Sequence, residues 1–308
     1  MIEGEEEIGS PNLGPWCREH QDILKADVIL ISDTTMINAD IPSITTGLRG
    51  LTYWEVTITG PARDLHSGIY GGSVANPIIV LSRMIAGMID EDGKITIPGF
   101  YDDVMEVSSK ERRLLSQTPF DENAYKEAIG VKELSGEKKF IVPERTTIRP
   151  SFDVCGIWGG YTGEGSKTVL PSQVHAKIST RLVPNQDFRK ITRLFTDHFE
   201  RIAPKTVKVT VADLHGGQSY VCPIDLPAYQ AAEKAYEDVY GRRPVPVRSG
   251  GSIPIIPIFE EILGIKSILM GFGLNSDAIH SPNENFSLDQ FYKGISTIVR
   301  FYNYFAES

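Results

Sequence analysis

Residues 51–61 read LTYWEVTITGP, and apolar and polar side chains alternate along this stretch. In an extended chain, Trp54 and Val56 would lie on one face and the polar side chains between them on the other. This alternation is typical of a half-buried strand in an antiparallel sheet. It recurs in SQVHAKISTRLVPNQ (172–186) and in TVKVTVADLH (206–215), so we predict a small antiparallel sheet in the middle of the chain.

Two amphipathic helices are predicted beside these strands, at residues 72–90 and 187–202, because apolar side chains recur there three and four positions apart. Strands and helices together form an α+β unit that we place at residues 50–218. Its polar stretch, residues 97–151, is interrupted by prolines. We interpret that stretch as an excursion with short helices.

The flanking segments have an α/β pattern. The apolar run DVILISD (27–33) follows a predicted helix and is typical of a buried strand that ends at Asp33. Later predicted elements are a helix at 225–241 capped by Asp225, a buried strand at 266–273 and a closing helix at 287–307.

We therefore predict an α/β domain in two parts, residues 1–49 and 219–308, with a mixed sheet and helices on both faces. The α+β unit is inserted between these two parts. A chain of 308 residues is long enough for two domains. Its 41% hydrophobic and 23% charged residues are ordinary for a globular protein.

The charge and the apolar runs argue against two classes of partner. A net charge of −9 is unsuited to nucleic acid, whose phosphates require clustered Lys and Arg. No apolar run approaches the roughly 18 residues that cross a bilayer, and no signal peptide is visible. The scattered Cys17, Cys155 and Cys222 predict reduced thiols in the cytoplasm, and we interpret all three as packing residues.

Three places carry side chains suited to metal chemistry. Glu5, Glu6 and Glu7 are consecutive, Asp33 ends a predicted strand, and His280 lies in the loop NSDAIHSPNE. Such carboxylates and imidazoles are the ligands of a hydrolytic zinc site. Adjacent glutamates could divide the work, one binding metal and one acting as a base toward water. The alternatives are a solvated acidic loop and an isolated strand-end aspartate.

Six ordered stretches resemble one family, the carnosine dipeptidase-like metallopeptidases. These belong to the larger dinuclear-zinc family of aminoacylases, glutamate carboxypeptidases and succinyl-diaminopimelate desuccinylases. The resemblance runs from residue 1 to the C-terminus and implies a zinc-peptidase catalytic domain with an inserted lid and dimerisation domain. The stretches are EGEEEIGSPNL (3–13), ISDTTMINADIPSITTGLRG (31–50), DLHSGIYGGSVANP (64–77), GEGSKTVLPSQVHAKISTRLVPNQ (163–186), SGGSIPI (249–255) and DAIHSPNE (277–284).

The resemblance implies roles for the metal-type residues. Glu6 resembles the general base, while Glu7 and His280 resemble ligands of one zinc or manganese ion. Asp33 resembles a ligand of the second ion. A Glu5–Glu6 register is the alternative, and the Ile-Gly-Ser that follows favours Glu6–Glu7.

The resemblance also implies roles in substrate binding. His66 would reach the partner subunit's site and stabilise the oxyanion, and Arg181 would bind the free carboxylate of a dipeptide. Thr168, Gly251 and Ser252 would contact the same end of the substrate. Each of these residues also has a plainer interpretation. His66 could cap a turn, Arg181 could be a charge at the end of a strand, and Gly251 could belong to an ordinary turn.

One departure concerns the start of the pattern. The family has an upstream His-x-Asp and a bridging Asp, and neither precedes Glu6. We expect the chain to be the C-terminal two-thirds of such an enzyme: a cleavage product, a truncated gene or one piece of a split protein. The isolated chain would then bind metal poorly, be inactive and expose apolar surface on its catalytic half.

The predicted function is metal-dependent dipeptide hydrolysis by a homodimer that associates through the lid, using the helix and an edge strand near residues 51–90. Two alternatives stay open. An N-acyl amino acid amidohydrolase would use the same metals with a different pocket. A non-catalytic dimerising fragment would use none.

Overall fold

The computed structural model describes residues 4, 5, 8, 10–105, 112, 120–279 and 281–308. The chain divides into two compact units. The split unit comprises Met1–Leu48 and Ser219–Ser308, and the inserted unit comprises Arg49–Gln218. The boundaries predicted from the sequence fall after residues 49 and 218.

The helices and strands are numbered in chain order. The helices in the described ranges are α1 (Leu13–Glu19), α2 (Ser67–Tyr70), α3 (Pro77–Ala86), α4 (Glu122–Ile129), α5 (Val142–Thr147), α6 (Phe188–Ile202), α7 (Pro227–Tyr240), α8 (Ile255–Leu263) and α9 (Leu288–Ala306). The strands are β1 (Ile29–Ile31), β2 (Ser43–Leu48), β3 (Gly50–Thr59), β4 (Leu65–His66), β5 (Ser151–Gly159), β6 (Val169–Leu170), β7 (Gln173–Leu182), β8 (Lys208–Gly217), β9 (Tyr220–Val221), β10 (Val245–Ser249) and β11 (Ser267–Leu269).

The inserted unit is built on a four-stranded antiparallel sheet in the order β5-β7-β3-β8. Burial alternates along β3, which confirms the strand predicted there. Trp54 is fully buried and stacks on Phe195 of α6 with ring centroids 4.0 Å apart. The chain order β3-α3-β5-β7-α6-β8 is that of a split βαβ fold, with both helices packed on the sheet.

The strand predicted at the edge of this sheet lies in its interior. β3 pairs with β7 on one side and with β8 on the other, so the prediction of an edge strand near residues 51–90 is wrong. The edges are β5 and β8. β5 escaped prediction because its exposed edge residues, such as Cys155 and Ile157, break the apolar–polar alternation.

The polar excursion contains the short helices α4 and α5, as predicted. Its loop is held by an ion pair in which Arg149 donates to both carboxylate oxygens of Glu137, at 2.6 and 2.7 Å. The Arg149 guanidinium also lies 4.3 Å from the centre of the Phe140 ring. Paired charges and a cation–π contact therefore anchor a segment whose composition is mostly polar.

The split unit contains a mixed sheet in the order β1-β11-β2-β10, with β9 paired to β2. β1 is parallel to β11 and β2 is parallel to β10, whereas β11 and β2 are antiparallel. α7 and α9 pack on each other, and the core includes Ile44, Tyr236 and Phe301. The mixed α/β class predicted for this part of the chain is confirmed.

Two details of the split unit differ from prediction. α7 begins at Pro227 with Leu226 as its N-cap, so Asp225 is not the cap; proline favours the first helical position because its missing N–H would have no partner there. β1 is half-buried and only three residues long. In the described ranges, no helix is both long and apolar enough to cross a bilayer.

Candidate active site

Asp33 lies two residues beyond the carboxyl end of β1, where it lines a cavity of about 500 Å³. The chain there is held by two backbone hydrogen bonds, from Met270 to Ile31 at 2.9 Å and from Met36 to Gly273 at 2.8 Å. The cavity is lined by Ser32, Asp33, Thr34, Thr35, Gly273, Asp277, Ile279, Glu284, Asn285 and Phe286.

The described lining contains three carboxylates, from Asp33, Asp277 and Glu284, and neither lysine nor arginine. The hydroxyl of Thr34 is buried and has no hydrogen-bond partner in the part of the chain that the structure describes. Oxygen donors and net negative charge suit a divalent cation. Among the described residues, however, no group of three or more His, Cys, Asp or Glu side chains lies close enough to hold a metal ion, so the lining offers Asp33 as a candidate ligand and not a complete site. Thr34, Asp277 and Glu284 are lining residues that sequence analysis did not single out.

Asp277 organises the loop on the far side of this cavity. Its buried carboxylate accepts a hydrogen bond from the Leu274 N–H at 2.7 Å, and its carbonyl accepts one from the Asn285 N–H at 2.9 Å. Ala278 follows in the left-handed region with φ of 55°. The loop that carries position 280 is thus pinned at both ends, although His280 itself lies outside the described residues.

Glu6 and Glu7 also lie outside the described residues, but their neighbour Glu5 is described. The Glu5 carboxylate accepts hydrogen bonds from the Asn12 side-chain amide at 2.8 Å and from the Asn12 backbone N–H at 3.2 Å. These bonds tie Glu5 to the start of α1 and give it a structural role.

Gly271 permits a close backbone approach beside Asp33. A Cβ atom at Gly271 would lie 1.8 Å from the Thr34 carbonyl oxygen, whereas at Gly273 the nearest atom would be an ordinary 3.5 Å away. We expect Gly271→Ala to lower the free energy of unfolding by about 1–3 kcal/mol or more, because backbone must move. Gly273→Ala is the matched control and should be neutral or stabilising by about 0.4–1 kcal/mol. Urea unfolding of both variants tests this, and equal midpoints would contradict it.

His66 and Thr168 lie together on a two-stranded ribbon. β4 pairs with β6, and the Ser67 N–H donates to the Thr168 carbonyl at 3.0 Å. The exposed His66 ring accepts the Gly68 N–H at Nδ1, 2.9 Å away, so this histidine does cap a turn. A neutral imidazole that accepts at Nδ1 carries its proton at Nε2, which leaves a donor directed away from the cap.

Arg181 lies near the end of β7, between Leu51 of β3 and Ser151 of β5. Burial, and next the positive charge of Arg181, lower the pKa of the neighbouring Arg49 to about 10, and Asp153 opposes this shift. The Arg49 and Arg181 guanidinium groups and the Asp153 carboxylate therefore lie within electrostatic range of one another.

Gly251 and Ser252 lie in the loop between β10 and α8, where the Gly251 N–H donates to the Ser249 hydroxyl at 3.1 Å. β10 runs antiparallel to β1, so their carboxyl ends lie at opposite ends of the sheet. The loop after β10 therefore begins at the end of the sheet away from Asp33. Neither residue lines the cavity at Asp33, so the structure does not bring these predicted residues together.

Two of the three cysteines are buried and one is exposed. Cys17 and Cys222 are buried packing residues, and burial raises the pKa of the Cys222 thiol to about 11. Cys155 is exposed, so its interpretation as a packing residue is wrong. It occupies a bulge of edge strand β5, with its sulfur 3.3 Å from the Ser179 hydroxyl.

Comparison with known proteins identifies the chain as a peptidase-family protein. The family described as "Peptidase dimerisation domain" matches residues 46–207, more than half of the chain. The chain belongs to the M20 family of peptidases. The fold agrees with a Sulfolobus solfataricus M20 family metallo-carboxypeptidase, with a TM-score of 0.88 and 33% identity over 98% of this chain and 69% of that one.

Two curated relatives show the same similarity. The Cys-Gly metallodipeptidase dug1 of Schizosaccharomyces pombe is 36% identical over 96% of this chain and 63% of its own length. The human Beta-Ala-His dipeptidase is 31% identical over 98% of this chain and 61% of its own length. The chain thus spans less than two-thirds of the length of these relatives.

Proposed function

We propose that this chain supplies the Asp33 metal site and the dimerising lid of a metal-dependent dipeptidase. The observation that carries the proposal is the position of Asp33 in an acidic cavity that Asp277 and Ile279 also line. Similarity to proteins named as dipeptidases supports a dipeptide as substrate. Because the cysteines are dispersed along the sequence, we expect the protein to be located in the reducing cytoplasm.

Four residues would form the catalytic centre. Asp33 would bind one zinc or manganese ion, and Glu7 with His280 would bind the other. Bound metal ions would polarise the peptide carbonyl and lower the pKa of the attacking water. Glu6 would take a proton from that water and deliver it to the leaving amine. The bonds between Glu5 and Asn12 support this register, because they occupy the Glu5 carboxylate.

His66, Arg181 and Thr168 of the lid, together with Gly251 and Ser252 of the split unit, would hold the substrate. His66 would donate from Nε2 to the oxyanion in the partner subunit's site, since Nδ1 already accepts the Gly68 N–H. Arg181 would bind the free carboxylate of the dipeptide, and Thr168, Gly251 and Ser252 would contact the same end.

The assignment of Asp33 can be tested by zinc titration of the metal-free enzyme in a calorimeter. We expect Asp33→Asn to weaken zinc binding more than about tenfold, because losing even a supporting partner of a ligand costs that much. Glu284→Gln is the control, since Glu284 lines the same cavity but is not assigned as a ligand. If Asp33→Asn bound zinc as the parent does, the proposed site would be wrong.

The homodimer would form along the β5 edge of the inserted unit rather than along β3. β5 exposes Ile157 and Trp158, and the neighbouring α3 exposes Ile79. The opposite edge, β8, carries the charged Lys208 and Asp213, which discourage strand pairing.

Light scattering at micromolar concentration should therefore report a dimer, and Ile157→Lys should convert it to a monomer, because a charge replaces apolar contact area. The matched control is Leu214→Lys on β8, where the side chain is 46% exposed against 55% for Ile157. A dimer that survives Ile157→Lys but not Leu214→Lys would place the interface on the other edge.

A further inference from the structure

A second cavity lies within the inserted unit, where strand β5 begins. Its volume is about 430 Å³, a size that accommodates a small molecule. Three arginines line it, Arg49, Arg145 and Arg149, and we call it the arginine cavity. The cavity at Asp33, in contrast, has neither lysine nor arginine in its described lining. The two cavities therefore suit ligands of opposite charge.

Two carboxylates also line the arginine cavity, and one of them is already neutralised. Both oxygens of Glu137 accept hydrogen bonds from Arg149, so these two charges cancel. The other carboxylate, that of Asp153, belongs to an exposed residue. With Arg49 and Arg145 set against Asp153 alone, the described lining keeps an excess of positive charge.

Among the described residues, Arg145 is held by backbone carbonyls. Its Nε donates to the Glu137 carbonyl at 3.0 Å, and its Nη1 donates to the Ser135 carbonyl at 3.3 Å. No carboxylate in the described ranges pairs with this guanidinium, and its Nη2 makes no hydrogen bond there. Neutral carbonyls fix the group without cancelling its charge. Arg145 is therefore an oriented, charged donor of the kind that binds a carboxylate.

The environment of Arg49 also favours a bound anion. The pKa of Arg49 falls to about 10 because the group is buried and, next in importance, because it lies near the positive charge of Arg181. The charged form is thus disfavoured in the protein alone, although Asp153 opposes the shift. An anion in the cavity would offset part of that cost.

The walls of the arginine cavity are held in place by backbone contacts. Gly93 and Gly136 both line it, and a Cβ atom at Gly93 would lie 2.5 Å from the Gly136 carbonyl oxygen. Next to them, the Lys138 N–H donates to the Asp92 carbonyl at 2.9 Å. The two turns therefore pack backbone against backbone. The cavity is preformed, which lowers the cost of binding a ligand.

The arginine cavity also offers apolar surface. Ile95 and Phe152 line it although they are only 5% and 7% exposed, so they form its deeper part. Inorganic phosphate has no group to place against these side chains. A hydrocarbon group would remove their remaining apolar surface from water, which is favourable.

We propose that the arginine cavity binds a small organic carboxylate, with its charge at Arg145 and its hydrocarbon part against Ile95 and Phe152. Arg181 is absent from the described lining, so this site differs from the one proposed for the free carboxylate of the substrate. Binding at the arginine cavity requires neither a metal ion nor the proposed hydrolysis. A purely structural ion network would pair Arg145 with a carboxylate, as it pairs Arg149 with Glu137.

The test is calorimetric titration of the purified protein with three probes: isocaproate, its uncharged amide and inorganic phosphate. We expect isocaproate to bind at least about tenfold more tightly than either of the others, because only isocaproate combines charge with a hydrocarbon group. Arg145→Gln should weaken isocaproate binding at least about tenfold, since hydrogen bonds between ionised partners are the strong ones. Arg181→Gln should retain the binding.

A second variant guards against a folding defect, because Arg145→Gln also removes the bonds to two carbonyls. Thr146 is exposed on α5 and lines the same cavity. Thr146→Glu keeps Arg145 and adds a like charge, so it should weaken isocaproate binding about threefold or more. Asn123→Glu on α4 is the matched control, since it adds the same charge at an exposed helical position outside the described lining.

Any of three results would overturn the inference. The parent protein could fail to bind isocaproate. It could bind the amide or phosphate as tightly as isocaproate, which would show that the charge or the hydrocarbon group has no role. Finally, Arg181→Gln could abolish binding while Arg145→Gln and Thr146→Glu preserve it. That result would place the carboxylate at the proposed substrate site.

Discussion

Glu6→Gln is expected to lower dipeptide turnover by about 10²–10⁴-fold in the metal-loaded enzyme, while metal content stays unchanged. Glutamine keeps the size of the side chain but cannot accept a proton from water. The effect should fall on kcat, because a base contributes in the transition state and not to substrate binding. Steady-state kinetics and elemental analysis of the same preparation measure both quantities.

The adjacent residue provides the contrast for this prediction. Glu7→Ala should lose metal together with activity, because Glu7 is assigned as a ligand. Glu5→Gln should retain both, since Glu5 bonds to Asn12 at the start of α1. If Glu6→Gln lost the metal and Glu7→Ala kept it, the proposed register would be wrong by one residue.

His66→Asn is expected to lower kcat by about 10²–10³-fold, the usual effect of removing one oxyanion donor. The asparagine carbonyl can still accept the Gly68 N–H, so the turn cap at 2.9 Å is preserved. The substitution removes only the distal Nε2 donor. Thermal unfolding of the variant should therefore match that of the parent.

This substitution separates the two interpretations of His66. If the histidine served only as a cap, His66→Asn would keep both stability and turnover. His66→Ala would remove cap and donor together, so it should lose stability as well as activity. Normal turnover in His66→Asn would remove His66 from the proposed site.

Much of the fold could be predicted because the decisive strands are half-buried. β3 alternates between buried and half-buried residues, and the sequence shows that alternation directly. β2 is fully buried but reads SITTGL, so its hydroxyls and glycine conceal it. The position of β3 within the sheet depends on pairing between distant segments, which no local pattern records.

Site residues could be predicted from the sequence only where the side chain itself is a typical metal ligand or catalytic group. Asp33 is a carboxylate at a strand end, and the cavity there is consistent with its predicted role. Thr34 and Asp277 gain their importance from burial and from loop geometry, which depend on tertiary contacts. Cys155 was misread because a bulge on an edge strand turned it outward.

The central claim is that each active site combines Asp33 of one subunit with His66 of its partner. The most direct test mixes Asp33→Asn and His66→Asn variants of the metal-loaded enzyme under conditions that exchange subunits. Each variant alone should be nearly inactive. Random exchange makes half of the dimers mixed, and each mixed dimer has one intact site, so the account predicts recovery of about a quarter of the parent activity. A mixture as inactive as its two components would contradict a site shared between subunits.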